Sequence, residues 1–332
     1  MRIILTTLAS VMLLTACGGE FRHPDTSGCE LNLSIAPFYK DLMANDADIH
    51  HHTASLEDKY GDYFTTFCAN ELRIGQKGDP MFFDELTRFI NAPENDEVIP
   101  ACDSVWNSLN INDDISDAFS CFRAIFPNAP YPSAVYCHFS GFNDRMFVDS
   151  TYISFGIEHY LGSNCRFYAW LQIPQYARFT RSKDYIVSDL LKAWIYSTMP
   201  ETSGREDVLT AMIYQGKVLY ALHRCIPRIT DEHLFGMSSD QIEWCKVNES
   251  HMWAYLAEHK LLYSTVLLDK SKIVNEAPFT YYFGNKSPGR AALYCAYNIV
   301  RAYMSRHDNT SMTDLMRIDD SQELLSGSAY NP

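Results

Sequence analysis

The stretch Ala134–Leu161, AVYCHFSGFNDRMFVDSTYISFGIEHYL, is where the chain changes texture. Valine, isoleucine, threonine and aromatic side chains crowd it, and these favour strands. Its two apolar parts, Ala134–Phe142 and Met146–Leu161, are separated by Gly141 and Asn143-Asp144. The pattern predicts a β-hairpin made of these two parts. On either side the apolar spacing is helical. The expected class is therefore α+β, predominantly helical with a small central β-hairpin or sheet.

Upstream, from Leu33 to about Leu109, the sequence reads as helices: SIAPFYKDLMA (34–44), SLEDKYGDYFTTFCANELRIG (55–75) and DPMFFDELTRFINA (79–92). In the last, Asp79 is placed to cap, Pro80 suits the first helical position, and Phe82, Phe83, Leu86, Phe89 and Ile90 make one face. Asn112–Phe126 is a further helix, stopped by Pro127, Pro130 and Pro132. Downstream come SKDYIVSDLLKAWIYSTM (182–199), the nearly all-apolar REDVLTAMIYQGKVLYALHRC (205–225), and a helix opened by a capping box of Ser238 and Gln241. A last helix follows Pro288-Gly289. Gly216 stands in mid-helix, where glycine costs about 1 kcal/mol relative to alanine. Close packing against another helix is the expected reason.

The first twenty residues read MRIILTTLASVMLLTACGGE. Ile3–Ala16 carries no charge and is too short for a membrane span, which takes about 20 apolar residues. It has the proportions of a signal peptide. Leu14-Thr15-Ala16-Cys17 resembles a bacterial lipobox. Residues 1–16 therefore read as a lipoprotein signal, Cys17 as the lipidated residue, 17–32 as a tether and 33–330 as one globular domain. Each buried acyl CH₂ contributes about 0.8 kcal/mol, so several chains anchor firmly. Neither an Asp after Cys17 nor an acidic run is present. A periplasm-facing domain in the cell envelope is expected, in either membrane.

The chain has 332 residues, 27 basic against 41 acidic, for a formal charge of −14. Such a balance argues against nucleic acid and anionic lipid as electrostatic partners. Nine scattered cysteines remain beside Cys17, with no CxxC pair, and read mainly as small buried hydrophobes. Eleven histidines include no HExxH, and His50-His51-His52 reads as a polar helix start. There is no GxSxG and no glycine-rich phosphate loop. No catalytic residue, metal site or cofactor is expected.

The unusual polar residues lie on apolar helices. Glu249 shares a face with Ile242, Cys245, Met252 and Leu256. Gln215 and Lys217 interrupt the most apolar helix, and Arg290 follows the helix-opening Pro288-Gly289. Gln215, Lys217, Glu249 and Arg290 are thus candidates for a polar core or pocket, with Glu249 expected to pair with Lys217 or Arg290.

The motifs FSGFN (139–143), FGIEHYLG (155–162), PQYARF (174–179), MIYQGKVLY (212–220), DQIEWCKVNESHMW (240–253), APFTYYFGNKSPGRAALYCAYNIVRAYM (277–304) and LLSGSAYNP (324–332) resemble, in order and spacing, the gliding motility-associated lipoprotein GldB family of Bacteroidetes. The resemblance implies a lipid-anchored envelope protein, carrying palmitate or a similar chain on Cys17. It would support gliding motility and the type IX secretion machinery without catalysis. Its partners would be other envelope lipoproteins or secretion components, and its contact with the membrane the lipid. The family is in turn similar to zinc peptidases of the HExxH type. A zinc-peptidase-like scaffold lacking HExxH is implied, with Gln215 at the third-ligand position. His159 departs from the family by standing where an acidic or neutral residue is expected. Two alternatives come from other classes. One is an envelope peptidase or hydrolase using Gln215, Lys217, Glu249 and Arg290. The other is a small-ligand binder using Tyr136, Phe139, Phe142, Tyr152 and Phe155.

Overall fold

Four short strands make one mixed sheet: β1 (Ile35–Ala36), β2 (Ala134–His138), β3 (Met146–Val148) and β4 (Tyr152–Gly156), in the order β1-β2-β4-β3. The structure is a computed structural model and describes residues 23–44, 47–201 and 204–332. The signal segment and Cys17 lie outside the described residues.

Strands β1 and β2 run parallel, as do β2 and β4, while β3 returns antiparallel on β4 with Val148 opposite Ile153. The hairpin is thus β3–β4, not a pairing of the two apolar parts expected from sequence. The backbone donors explain the difference. The N–H groups of Ser140 and Phe142 donate to the Glu158 carboxylate at 2.7 and 3.2 Å, so they are not free for a ladder. Gly141 and Phe142 both take positive φ, 73° and 66°, which curls the chain around that carboxylate.

Two other expectations are corrected. The segment 34–44 is not wholly helical: Ile35 pairs with Val135 in the sheet, and only Phe38–Leu42 turns into a helix after Pro37. The helix expected from Pro80 begins instead at Phe82, because the Asp79 carboxylate turns back to accept from Gln76 N–H at 2.6 Å.

The longer helices are α1 (Ile49–Tyr60), α2 (Phe82–Ile90), α3 (Asn95–Trp106), α4 (Asn112–Ile125), α5 (Ile186–Thr198), α6 (Val208–Cys225), α7 (Ser239–Glu258), α8 (Leu267–Val274), α9 (Ala292–Arg306) and α10 (Ser321–Ser328). They cover both faces of the sheet. Strand side chains alternate with period two. Val135, Cys137, Ile153 and Phe155 enter the larger core with α4, α5, α6 and α9. Tyr136 and Tyr152 face an aromatic cluster from the N-terminal helices, where Tyr63 stacks on Tyr136 at 3.9 Å and meets Phe38 edge-on at 4.9 Å. Of the five aromatics weighed as a ligand surface, Tyr136, Tyr152 and Phe155 pack within the two cores, while Phe139 and Phe142 also wall an apolar recess of about 490 Å³ with Trp170 and Leu171.

Gly216 behaves as its position demands. A Cβ there would lie 2.4 Å from the Ala296 carbonyl oxygen, so α6 and α9 touch backbone to backbone. The Ser238–Gln241 capping box forms as expected. The nine described cysteines are free thiols, with all but Cys29 and Cys165 buried. From Leu31 the segment read as a tether already lies against α4, through Leu31 N–H to Ser120 Oγ at 2.8 Å and Leu33 N–H to Ser116 Oγ at 2.9 Å. Among the described residues no helix is long and apolar enough to cross a membrane.

Candidate functional site

The site begins with a buried acid. Glu158 follows β4 in a short 3₁₀ turn and is wholly enclosed. One of its oxygens accepts from Ser140 N–H (2.7 Å), Ser140 O–H (2.9 Å) and Phe142 N–H (3.2 Å). Burial raises its pKa against the pull of the Ser140 donors. Two histidines stand beside it. His138 meets Ser154 Oγ at 2.9 Å, and burial depresses it to about 3. His159 Nδ1 accepts from Arg181 at 2.6 Å, and burial together with that guanidinium depresses it to about 2. Both rings are neutral at ordinary pH. Gly156 leaves the room they need, since a Cβ there would lie 3.1 Å from Glu158 Oε2 and 3.1 Å from His138 Nε2.

The same turn holds Tyr160, which opens a second network. Arg145 Nε donates to the Tyr160 hydroxyl at 3.1 Å, and that hydroxyl donates to Asp189 Oδ2 at 2.9 Å. Arg145 also pairs directly with Asp189 and donates to the Thr180 carbonyl at 2.6 Å. Lys192 lies one turn further along α5. Burial and the Arg290 charge pull its amine down to about 8, while Asp189 and Glu276 pull the other way. Arg290 NH2 lies 3.5 Å from Glu276 Oε1. Its backbone is held at a φ of 57°. The preceding Gly289 is required by close approach, because a Cβ there would fall 2.0 Å from the Ala277 carbonyl oxygen.

These charges back an open cleft of about 330 Å³. Arg290, Glu276, Gln175, Tyr176, Phe179 and Gln241 are among its walls. Thr180, the acceptor of Arg145, also lines it.

Of the four polar residues singled out from sequence as a core or pocket, only Arg290 faces this cleft. Gln215 lies behind it: Tyr196 donates to Gln215 Oε1 at 2.6 Å, and that tyrosine is within reach of the Arg290 charge. Lys217 is elsewhere, donating to the Ile318 carbonyl at 2.6 Å beside a small recess of about 20 Å³. Glu249 is on the core side of α7, as read, but its partners are neutral. Asn298 donates to it at 2.7 Å and the Tyr330 hydroxyl at 2.6 Å. The expected pairing with Lys217 or Arg290 is corrected, because Ile318 takes the first and Glu276 the second. Glu249 instead holds the C-terminal segment, where Trp253 meets Tyr330 edge-on at 5.2 Å.

Sequence reasoning missed Glu158, Arg145, Asp189 and Lys192. Two signals were present. Glu158 is an acid at the end of the apolar run YISFGI, and Lys192 sits between Leu190-Leu191 and Trp194-Ile195.

The sequence profile of the gliding motility protein GldB family matches residues 20–332, nearly the whole chain. The chain belongs to the GldB family. No curated protein and no solved structure matches it. Membership ties it to gliding motility and, through the family's lipoprotein name, to the envelope. Segments that carry the GldB likeness meet at the cleft from distant parts of the chain: Gln175 and Phe179 from PQYARF, Gln241 from DQIEWC, and Ala277 and Arg290 from APFTYYFGNKSPGR. The FSGFN and FGIEHYLG motifs of GldB are the two halves of the Glu158 clamp. His159, in the second of these motifs, is kept neutral.

Proposed function

We propose that this GldB-family chain is a lipid-anchored, non-enzymatic envelope component of the gliding or type IX secretion apparatus, and that it acts by holding a protein partner. The observation that supports this is an exposed apolar rim on the segment 170–179. Tyr176 and Phe179, 42% and 37% exposed, wall the cleft, and Trp170 and Leu171, 63% and 48% exposed, wall a second, apolar recess. Exposed aromatic clusters next to a charged groove suit protein contact. The hydrolase alternative needs Gln215, Lys217, Glu249 and Arg290 around one cleft, and they are dispersed.

We further propose that the fold is a zinc-peptidase-like scaffold without peptidase chemistry. On that reading α5 and α6 stand where the ligand helices would be, contributing Asp189, Lys192 and Gln215. This donor set does not fit zinc, since an ammonium repels the ion and an amide binds it poorly.

The test is a deletion strain complemented with wild type, Cys17→Ala, or Trp170→Asp combined with Tyr176→Asp. Loss of gliding or secretion rescued by wild type alone is expected, with envelope partners captured by wild type and lost from the rim variant. Full rescue by the rim variant would remove the proposal's support.

A further inference from the structure

The walls of the cleft carry one cation, Arg290, and one acid, Glu276, but behind them the chain gathers more positive charge than it balances. Arg145 and Lys192 lie within electrostatic reach of each other and of both Asp189 and Glu276, Arg181 within reach of Arg145 and Glu276, and Lys192 also within reach of Arg290. Arg145 takes Asp189. Arg290 takes Glu276 only loosely, at 3.5 Å, and the Glu276 side chain is 52% exposed where that of Arg290 is 18%. Among the described residues no carboxylate stands within 4 Å of Lys192 or Arg181. Arg181 Nε is buried without an acceptor, although its other end reaches His159. In a chain of formal charge −14, acids are plentiful, so this shortage is local. Enclosing cations without counter-charge costs stability, and a fold that keeps them gains only when an anion arrives.

The surroundings narrow the anion. Tyr176, Phe179 and Pro278 give the cleft an apolar wall, and Gln175 and Gln241 add amides that suit a peptide backbone. A guanidinium matches a planar carboxylate with two parallel hydrogen bonds. The chain itself puts a carboxylate, that of Glu276, beside Arg290.

We infer that the cleft binds a carboxylate of a peptide partner, next to an apolar side chain, and that this group takes the place beside Arg290 now held by Glu276. The inference rests on the reading of the chain as a holder of protein partners. Arg290 is the anchoring cation, Arg145 and Lys192 supply charge behind it, and Glu276 is an internal competitor.

Calorimetric titration of the full mature chain in detergent tests this with three probes: acetyl-Ala-Tyr-Phe as the free acid, its terminal amide, and inorganic phosphate. The free acid is expected to bind, and the amide to bind about tenfold more weakly. Arg290→Gln lowers affinity for the acid about tenfold, and Glu276→Gln raises it several-fold. The rise is the decisive sign, because a misfolded variant cannot produce it. Equal binding of acid and amide, no binding of either, tighter binding of phosphate, or unchanged affinity in Glu276→Gln would each overturn the inference. If Arg290→Gln still captures the envelope partner of wild type, the partner reading stands and the cleft assignment fails.

Discussion

Glu158, wholly enclosed, and the half-buried cation cluster around Lys192 are two charge sites on opposite terms. Glu158 has three donors converging on one oxygen, from a turn that bends out of its regular path to supply them. Lys192 has no carboxylate at ion-pair distance among the described residues, and its nearest strong influence besides burial is another cation, Arg290. The first site is closed: one carboxylate oxygen is satisfied within the chain and the other is buried without a donor, so its work is to hold β2, β4 and the FSGFN turn together. The second reaches an open cleft through Arg290 and is short of negative charge. The difference separates a group that stabilises the fold from groups that the fold keeps despite their cost.

The largest effect should come from breaking the closed site. Glu158→Ala leaves the Ser140 and Phe142 donors buried without an acceptor, and is expected to cost about 3–5 kcal/mol in urea denaturation. A loss under about 1 kcal/mol would mean that the clamp does not hold the turn. Gly156→Ala keeps every donor but forces a methyl group against His159 Cδ2 at 2.9 Å. Overpacking of this kind should cost about 1–3 kcal/mol, and an unchanged midpoint would show that the site is looser than described.

The open site should answer with the opposite sign. Lys192→Met removes a cation that has no direct ion pair among the described residues while keeping its apolar stem, and is expected to stabilise the protein by about 1–2 kcal/mol. Destabilisation on that scale would mean that Lys192 has a structural partner after all, and the contrast would dissolve.

Titration sharpens the same contrast with smaller shifts. His138 and His159 fall from 6.5 to about 3 and about 2 on folding. Below pH 6.5 the unfolded chain therefore binds more protons, and stability should drop as pH falls from 6.5 towards 3, by about 1.4 kcal/mol per pH unit for each histidine at most. Lys192 falls from 10.5 to about 8, so between pH 8 and 10.5 the unfolded chain again binds the extra proton and stability rises with pH. Lys217, also lowered to about 8 by burial, contributes in the same window. Urea midpoints across pH should show His138→Gln flattening the acid limb and Lys192→Met flattening only part of the alkaline rise. An acid limb unmoved by His138→Gln would place its origin elsewhere.

Much of the helical frame was legible in the residues. Ser238 and Gln241 announce a helix start by a local rule, and the Gly216 contact follows from a glycine inside an apolar helix. The sheet was harder. A two-residue strand such as β1 has no period to detect, and the turn that follows β2 is held by Glu158, whose carboxylate captures donors sixteen and eighteen residues upstream. The site was the least legible. Arg145, Asp189, Lys192 and Arg290 come from a turn, one helix and a helix-opening loop, and no local spacing says that they share a space. Glu249 shows the limit in the other direction. Its face was read correctly from the helical period, but its partners, Asn298 and Tyr330, depend on tertiary packing.

The most direct test of the claim that the cleft's cations are kept for an external anion is urea unfolding of wild type and Lys192→Met, each with and without the free-acid peptide. The predicted result is a wild type that starts less stable and gains from the peptide, beside a variant that starts more stable and gains little. A variant that starts lower, or that gains as much as wild type, would contradict it.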